Sequence, residues 1–318
     1  MKILVTGASG FVGASVARLA LSKGIDVLGQ VRQQVILGFP TCVKDISSHT
    51  EWADALGNVD CIVHCAARVH QMNDCAANPF EAFKEVNTQG TLNLARQAAA
   101  AGVKRFVFVS SIKVNGESTL PNQPFLPMTQ DIPVDPYGVS KYEAEEGLKV
   151  IEAETGLEVV IIRPPLVYGP GVKANFLSMM NWVNKGIPLP LGGIDNCRSL
   201  VFLDNLADLI LVCCQHANAR SRTFLVSDNY DVSTSTLLRQ IATAMNKPSR
   251  LFSVPTSWLC YVAALIGKKA IAERVCGNLQ LDITDTIQVL DWSPVYSFEE
   301  GIQRTTDDYL CSKTVRKL

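Results

Sequence analysis

The sequence has little of what metal centres and nucleic-acid-binding proteins require. Its four histidines show no spacing typical of metal ligands, and no C-x-x-C pair is present. Lysine and arginine are scattered along the chain and the formal net charge is −1, so a basic patch for nucleic acid is missing. We therefore expect neither a bound metal nor a nucleic-acid partner.

The sequence also lacks a hydrophobic run long enough to cross a bilayer. The longest apolar stretch, 258–266, is too short and is followed by a glycine and two lysines. We interpret it as a buried helix, with contact to a membrane surface as the alternative. The ten cysteines form no regular disulfide framework, and the chain begins with a core strand rather than a secretion signal. These features predict reduced thiols and a cytoplasmic protein without a transmembrane segment.

What the sequence does contain is a glycine turn between a strand and a helix. Residues 2–6 are an apolar run typical of a buried strand, and residues 14–23 carry apolar side chains at helical spacing. Between them lie Gly7, Gly10 and Gly13. Backbone amides and the helix dipole at such a junction bind pyrophosphate. The spacing differs from the usual G-x-G-x-x-G, so it is the position of the triplet that predicts a dinucleotide site.

Strand and helix patterns then alternate along the first half of the chain, which predicts an α/β fold. The predicted strands are 25–31, 42–46, 59–64 and 104–110, and the predicted helices are 49–56, 79–101, 137–154, 204–215 and 234–245. This order is typical of a Rossmann-like, doubly wound parallel sheet. We expect an NAD(P)-binding domain over 1–168. Residues 169–318 are predicted to form mostly a smaller C-terminal substrate-binding domain, with 199–228 returning to the first domain.

The choice between NAD and NADP depends on the end of the second predicted strand. No carboxylate is present there to bind a ribose, whereas Arg32 can pair with a 2′-phosphate. An ordinary solvated arginine is the alternative, so the sequence leans towards NADP without excluding NAD. Asp45 is placed to reach the adenine. The small residues Cys65, Ala66 and Ala67 allow a flat ligand to lie against the backbone.

A tyrosine and a lysine four residues apart are the candidate catalytic pair. Tyr137 and Lys141 project from one face of the same predicted helix. A nearby lysine and a positively charged nicotinamide favour the phenolate and lower the tyrosine pKa. Such a phenolate takes a proton from a sugar or alcohol hydroxyl while hydride moves to the cofactor. Ser111, which follows Ser110 at the end of a strand, would hydrogen-bond the same oxygen.

With these motifs the chain resembles the extended short-chain dehydrogenase/reductases, specifically the nucleotide-sugar epimerase/dehydratase group that includes UDP-glucose 4-epimerases. The resemblance covers nearly the whole chain. It is carried by T-G-A-S-G-F-V-G at 6–13, V-N-T-Q-G-T at 86–91, Y-G-V-S-K at 137–141, R-P-P-L-V-Y-G-P-G at 163–171 and the segment 198–208.

The resemblance extends the set of candidate site residues and implies a homodimer. Motifs and resemblance together assign cofactor binding to Gly7, Ser9, Gly10, Phe11, Val12, Gly13, Arg32, Asp45, Ile46, Cys65, Ala66, Ala67, Asn87, Ser110, Tyr137, Lys141 and Pro164. Substrate binding is assigned to Ser111, Lys113, Tyr137, Asn175, Arg198 and Arg274, the last by a looser match. The dimer would pair helices 79–101 and 137–154 into a four-helix bundle.

Departures from the family pattern narrow the reaction. The 4,6-dehydratases carry an Asp-Glu pair where this chain has Ile112 and Lys113, which disfavours dehydration. Asn115 replaces a common tyrosine. Two reactions at C4 of a UDP-hexose or UDP-N-acetylhexosamine remain open: NAD-dependent epimerisation, and NADPH-dependent reduction of a 4-keto sugar. A non-catalytic NAD(P)-binding regulator is a third reading, which the presence of Tyr137 and Lys141 disfavours.

Overall fold

The computed structural model describes residues 1–69, 78–128, 132–265 and 267–315. The strands are β1 (Lys2–Thr6), β2 (Asp26–Val31), β3 (Thr41–Val43), β4 (Cys61–His64), β5 (Arg105–Val109), β6 (Glu158–Arg163), β7 (Leu166–Tyr168), β8 (Arg198–Phe202), β9 (Arg222–Leu225) and β10 (Asp231–Val232). The helices are α1 (Phe11–Ser22), α2 (Pro79–Phe83), α3 (Thr91–Ala100), α4 (Pro136–Thr155), α5 (Ala174–Asn184), α6 (Leu203–Gln215), α7 (Thr234–Ala244), α8 (Thr256–Leu265), α9 (Lys269–Cys276), α10 (Thr284–Leu290) and α11 (Phe298–Val315).

The main sheet has seven parallel strands in the order β3-β2-β1-β4-β5-β6-β9. The chain runs outward from β1 to β3, then returns to the other side of β1 with β4. In such sheets ligands bind beyond the carboxyl ends of the strands where the order reverses. The prediction of a Rossmann-like, doubly wound parallel sheet is confirmed.

Both faces of this sheet are covered, which explains the nearly continuous apolar runs of its strands. In β1, Ile3 and Val5 face a cluster that includes α1 and α6, whereas Leu4 faces the opposite cluster with α3 and α4. All three side chains are fully buried. The period of two between the faces fixes the register of β1, because a slip by one residue would exchange its two faces.

A second, three-stranded sheet has the order β10-β8-β7. It packs with α5, α7 and α11 around a separate apolar cluster centred on the buried Tyr168 and Phe202. The chain returns to the main sheet through β9, which pairs with β6. The division into domains at residue 168 stays a prediction, since the second sheet draws on strands from both sides of it.

The predicted helix at 49–56 is wrong, because this segment forms turns. Side chains of α3 supply the hydrogen bonds that a helix would have made. Gln97 accepts from the Trp52 amide at 2.7 Å and donates to the Thr50 carbonyl at 2.8 Å. Trp52 is fully buried, so its packing also holds the segment in this conformation.

The predicted long helix 79–101 is interrupted in its middle. The segment Lys84–Gly90 between α2 and α3 is π-helical. Such segments often occur at functional sites. The predicted helix 137–154 corresponds closely to α4.

The interpretation of 258–266 as a buried helix is wrong. A helix does form, α8, but none of its residues is buried, and residue 266 lies outside the described residues.

None of the helices in the described ranges is long and apolar enough to span a bilayer. The same ranges contain no cluster of histidine, cysteine and acidic residues able to hold a metal ion.

Candidate active site

The glycine turn after β1 leaves no space for side chains. Gly7 has a φ of +64°, and a Cβ there would lie 3.1 Å from the backbone of Ala66. A Cβ at Gly13 would lie 2.3 Å from the Gly7 carbonyl oxygen. The Gly7 amide donates to the side chain of Gln30 at 2.8 Å, and Gln30 in turn donates to the Lys44 carbonyl. The turn is therefore fixed at the point where β1, β2 and β4 meet.

The start of α1 fits the diphosphate of a dinucleotide. Gly10 is the N-cap residue of α1, and no side chain accepts a capping hydrogen bond from the amides of the first turn. Ser9 and Gly10 are exposed at the mouth of the turn, Phe11 and Val12 are half-buried behind them, and Gly13 is buried. Uncapped amides and the positive end of the helix dipole both favour an anion here.

At the end of β2 the structure presents Arg32 rather than a carboxylate. Arg32 is exposed, whereas Gln30 is buried and its side chain is already used in the glycine turn. After β3, Asp45 is exposed and Ile46 is buried. These positions suit contacts with the ribose and adenine, and their roles stay predictions.

A buried histidine that the sequence analysis missed fixes the loop after β4. His64 Nδ1 lies 2.8 Å from Thr6 Oγ1, and its Nε2 lies 2.9 Å from Thr91 Oγ1. Thr91 donates to the Asn87 carbonyl, so its hydroxyl accepts from His64 Nε2 and Nδ1 accepts from Thr6. Thr6 Oγ1 then accepts from the Ala66 amide at 3.1 Å. Burial, helped by the charge of nearby Lys141, lowers the pKa of His64 to about 3, so the ring stays neutral.

Asn87 joins this loop to α4. Its side-chain oxygen accepts from the Arg68 amide at 2.8 Å, and its Nδ2 donates to the Arg68 carbonyl and to Ser140 Oγ, both at 3.0 Å. Asn87 is fully buried in the π-helical segment. These contacts hold in place the backbone that follows Cys65, Ala66 and Ala67. Its predicted contact with the cofactor remains a prediction.

Tyr137 lies in the first turn of α4, facing the end of β5. The N-cap residue Asp135 accepts from the Gly138 amide at 3.0 Å, which fixes the start of the helix. Ser111, two residues after β5, lies close enough to the Tyr137 side chain to lower its pKa. The ring of Tyr137 lies edge-on to Phe83, with centroids 6.1 Å apart. The structure therefore brings the predicted serine and tyrosine together.

Burial and the negative charge of Asp135 raise the pKa of Tyr137 to about 12, against the lowering effect of Ser111. Lys113 contacts Asp135 at 3.0 Å and Glu117 at 3.2 Å, and its role in substrate binding stays a prediction. It lies at the N-terminus of α4, where it partly neutralises the carboxylate nearest to Tyr137.

Lys141 is fully buried on the same helix. Its Nζ donates to the Val109 carbonyl at 2.9 Å and lies 4.3 Å from the centre of the Phe108 ring. Burial lowers the pKa of Lys141 to about 8, and the negative charge of Glu145 opposes that shift. The expected lowering of the tyrosine pKa by a neighbouring lysine is not met by the protein's own groups, because burial and Asp135 raise the pKa of Tyr137 and only Ser111 opposes them. A positively charged nicotinamide, once bound, would favour the phenolate of Tyr137.

A buried ion pair behind the site was also missed. Arg163 Nε donates to Glu145 Oε1 at 2.9 Å, and its Nη2 binds the other carboxylate oxygen. Glu145 also accepts from the Ser110 hydroxyl. Arg163 further donates to Asn115 Oδ1 at 3.0 Å, which explains why an asparagine is favourable at that position. The pair connects β5, α4 and β6 beneath Ser111, and the Pro164 carbonyl accepts from the Ile112 amide at 3.0 Å beside it.

On the second sheet the structure brings the two predicted arginines together. Arg198 Nη1 donates to the carbonyls of Arg274 and Gly277 at 2.8 and 2.9 Å. The pKa of Arg198 is lowered by burial and by the like charge of Arg274. An anion between them would relieve this repulsion. Asn175 is exposed in the first turn of α5, whose N-terminus has no side-chain cap.

Comparisons with known proteins agree with this geometry. The model of the NAD dependent epimerase/dehydratase family matches residues 3–227. The chain belongs to this family. It is 48% identical to a UDP-glucose 4-epimerase of Vibrio cholerae over 97% of this chain and 95% of the relative. A more distant relative is the N-acetyl-α-D-glucosaminyl-diphospho-ditrans,octacis-undecaprenol 4-epimerase of Escherichia coli O157:H7, 26% identical over 96% of this chain and 94% of that protein.

Solved structures show the same fold. The UDP-glucuronic acid 4-epimerase of Bacillus cereus in complex with NAD has a TM-score of 0.79 and 20% identity, covering 98% of this chain and 99% of that one. The family model and the 48% identical relative confirm the family and the enzyme class expected from the sequence, and the non-catalytic reading is not supported. The protein is an enzyme of the NAD-dependent epimerase/dehydratase family.

The effect of Asp135 on the pKa of Tyr137 can be tested by mutation, because an enzyme of this family has a measurable pH–rate profile. We expect Asp135→Asn to move the acid limb of the pH–rate profile to lower pH by about half a unit, because one negative charge near the phenolate is removed. Asparagine caps helices as well as aspartate, so α4 should be preserved. The measurement is kcat/KM from pH 5 to 10. Asp26→Asn serves as the control, because Asp26 is the first residue of β2 and lies at the end of the main sheet opposite to the candidate site. An alkaline shift of the limb in Asp135→Asn would contradict the assignment.

Proposed function

We propose that the protein is an NAD-dependent 4-epimerase of UDP-linked hexoses or N-acetylhexosamines. The observation that carries the proposal is the contact between Ser111 and Tyr137 above buried Lys141, in a chain 48% identical to a UDP-glucose 4-epimerase. The arginines Arg198 and Arg274 supply a site for the diphosphate of the same substrate. Epimerisation and keto-reduction use the same three catalytic residues, so the cofactor cycle distinguishes them.

In this reaction the protein moves one proton at the sugar 4-oxygen. Tyr137 takes the proton of the 4-hydroxyl and later returns it, while Ser111 hydrogen-bonds the same oxygen and holds it in line. Lys141 contributes a buried positive charge next to β5, and its bond to the Val109 carbonyl fixes the position of that charge. Bound NAD⁺ would accept hydride from C4 and return it to the opposite face of the sugar ring. Because both half-reactions use one tyrosine, the proton is recycled within the site.

The first experiment is to denature freshly purified protein and identify the released nucleotide by chromatography. We expect NAD at about one per subunit, because a closed hydride cycle does not release the cofactor. Incubation with UDP-glucose and with UDP-N-acetylglucosamine should then produce the 4-epimer of at least one of them without added cofactor. Turnover that requires added NADPH would contradict the epimerase and support the keto-reductase.

Arg32 provides a separate test of cofactor choice. If its guanidinium pairs with a 2′-phosphate, Arg32→Ala should weaken NADPH binding about tenfold or more and leave NADH binding unchanged. If it is an ordinary solvated side chain, both affinities stay the same. Isothermal titration after removal of bound nucleotide measures both. For the proposed NAD enzyme we expect the second result.

We also infer a homodimer that pairs α3 and α4 of each subunit into a four-helix bundle. Val150 on α4 is 54% exposed, and such pairing would cover it. Sedimentation equilibrium should give twice the mass of the chain, whereas a mass equal to one chain would contradict the dimer.

We propose a cytoplasmic location. All of the cysteine thiols that the structure describes are free, and they would remain reduced there.

A further inference from the structure

The helix α8 presents an apolar face that nothing in the described protein covers. Trp258, Tyr261, Val262 and Leu265 are 66%, 63%, 49% and 70% exposed. Their spacing of i, i+3, i+4 and i+7 places them on one side of the helix. A helix so rich in apolar residues is expected inside a core or a membrane, not in water. The partner that covers this face is therefore not among the described residues of this subunit.

The rest of α8 is anchored to the protein. Its less exposed side packs against α9, where the Cys260 and Cys276 thiols are in contact. The segment before the helix is held by hydrogen bonds between Leu189 and Phe252 and between Gly192 and Phe252, at 3.0 Å. The exposed face is therefore the outer surface of a fixed element.

The charge around this helix favours an anionic partner. Residues 247–277 contain five basic residues and a single acidic one, in a chain whose net charge is −1. Lys268 and Lys269 follow the apolar face directly. Lys269 lies 3.5 Å from Glu273, the one carboxylate of the segment, while Arg274 reaches Glu117 at 3.3 Å. The segment keeps an excess of positive charge after these pairs are formed.

We propose that α8 docks on the surface of an anionic lipid bilayer, with its apolar face in the headgroup region. Tryptophan and tyrosine are the residues preferred at the membrane–water interface, and flanking lysines bind anionic headgroups. A second copy of the chain fits less well, because a two-fold contact would bring the same positive segments against each other. With ten residues, α8 lies on the bilayer and does not cross it.

This docking would place the diphosphate end of the site beside the membrane. Arg274 lies on α9, the helix against which α8 packs, and its carbonyl accepts from Arg198. The proposal does not depend on which sugar the enzyme converts, since it rests on α8 and the charges around it.

The test is sedimentation of the full-length protein with vesicles of phosphatidylglycerol and phosphatidylcholine in equal parts. We expect binding that weakens with salt and is absent with phosphatidylcholine alone. Leu265→Glu should weaken binding at least about tenfold. The control Val295→Glu changes an apolar residue of similar exposure, 58%, outside the segment, and should bind like the parent protein. Equal melting temperatures of both variants would show that each is folded.

A second readout reports on the helix itself. Trp52 and Trp292 are buried and Trp182 is 41% exposed, so in a Trp182→Phe background Trp258 is the exposed tryptophan. Brominated phosphatidylglycerol should quench its fluorescence in vesicles. Absence of binding to the anionic vesicles would overturn the proposal. The proposal would also be overturned if the protein did not bind vesicles and instead self-associated in a way that Leu265→Glu abolished. In that case α8 would contact a second copy of the chain.

Discussion

Replacing Tyr137 with phenylalanine is expected to lower turnover about 10²–10⁴-fold while the protein stays folded with its cofactor bound. The ring would keep its edge-on contact with Phe83, so only the hydroxyl that accepts and returns the proton is lost. The interaction of Ser111 with that hydroxyl is lost at the same time. The measurements are the steady-state rate of UDP-sugar epimerisation and the amount of nucleotide released on denaturation.

Tyr142 on the same helix provides the matched control. It is half-buried like Tyr137 but lies one residue beyond Lys141. Tyr142→Phe removes the same atom from the same helix and should keep near-parental turnover. If Tyr137→Phe retained most of its activity, the assignment of the base would be wrong, whatever the control showed. Loss of activity in both variants would instead indicate that α4 as a whole is sensitive to substitution.

The parts of this site that could be predicted from sequence are those set by local spacing. The glycine turn lies between one strand and one helix, and Tyr137 and Lys141 are one helical turn apart. Steric and periodic rules that act over a few residues are enough to place them. The confirmed parallel sheet follows in the same way from the alternation of short apolar runs and amphipathic segments.

Contacts between distant segments could not be predicted in this way. His64 ends an apolar strand and has no ligand-like spacing, so its bonds with Thr6 and Thr91 became visible only with the sheet assembled. The ion pair of Glu145 and Arg163 joins α4 to β6 for the same reason. The segment 49–56 lost its predicted helix to side chains of α3 that lie more than forty residues away.

The exposure of α8 shows a different limit. Its apolar residues recur at helical spacing, and that pattern is the same whether the face meets a core, a membrane or a partner. Only the arrangement of the neighbouring elements shows that none of the described core covers Trp258 or Leu265. Hydrophobic composition predicted the helix correctly and its environment wrongly.

The ion pair beneath the active site is expected to dominate the effect of mutations on stability. Glu145 and Arg163 are 0% and 1% exposed. Removing one partner leaves the other charge buried, so Glu145→Leu should lower the free energy of unfolding by about 3–5 kcal/mol. Urea unfolding measures this loss. The double variant Glu145→Leu with Arg163→Met should recover part of it, because no unpaired charge then remains.

The adjacent residue supplies the control for this prediction. Glu146 on α4 pairs with Lys149 at 2.7 Å, but both side chains are 48% exposed. Glu146→Leu should therefore change the stability by less than about 1 kcal/mol. If Glu145→Leu lowered the free energy of unfolding no more than Glu146→Leu does, the buried ion pair of Glu145 with Arg163 would not stabilise the fold as proposed.

Loss of Glu145 also removes the negative charge that opposes the lowering of the Lys141 pKa by burial. In a folded double variant the pKa of Lys141 should then fall further below 8, which links the stability of this layer to the charge next to Tyr137.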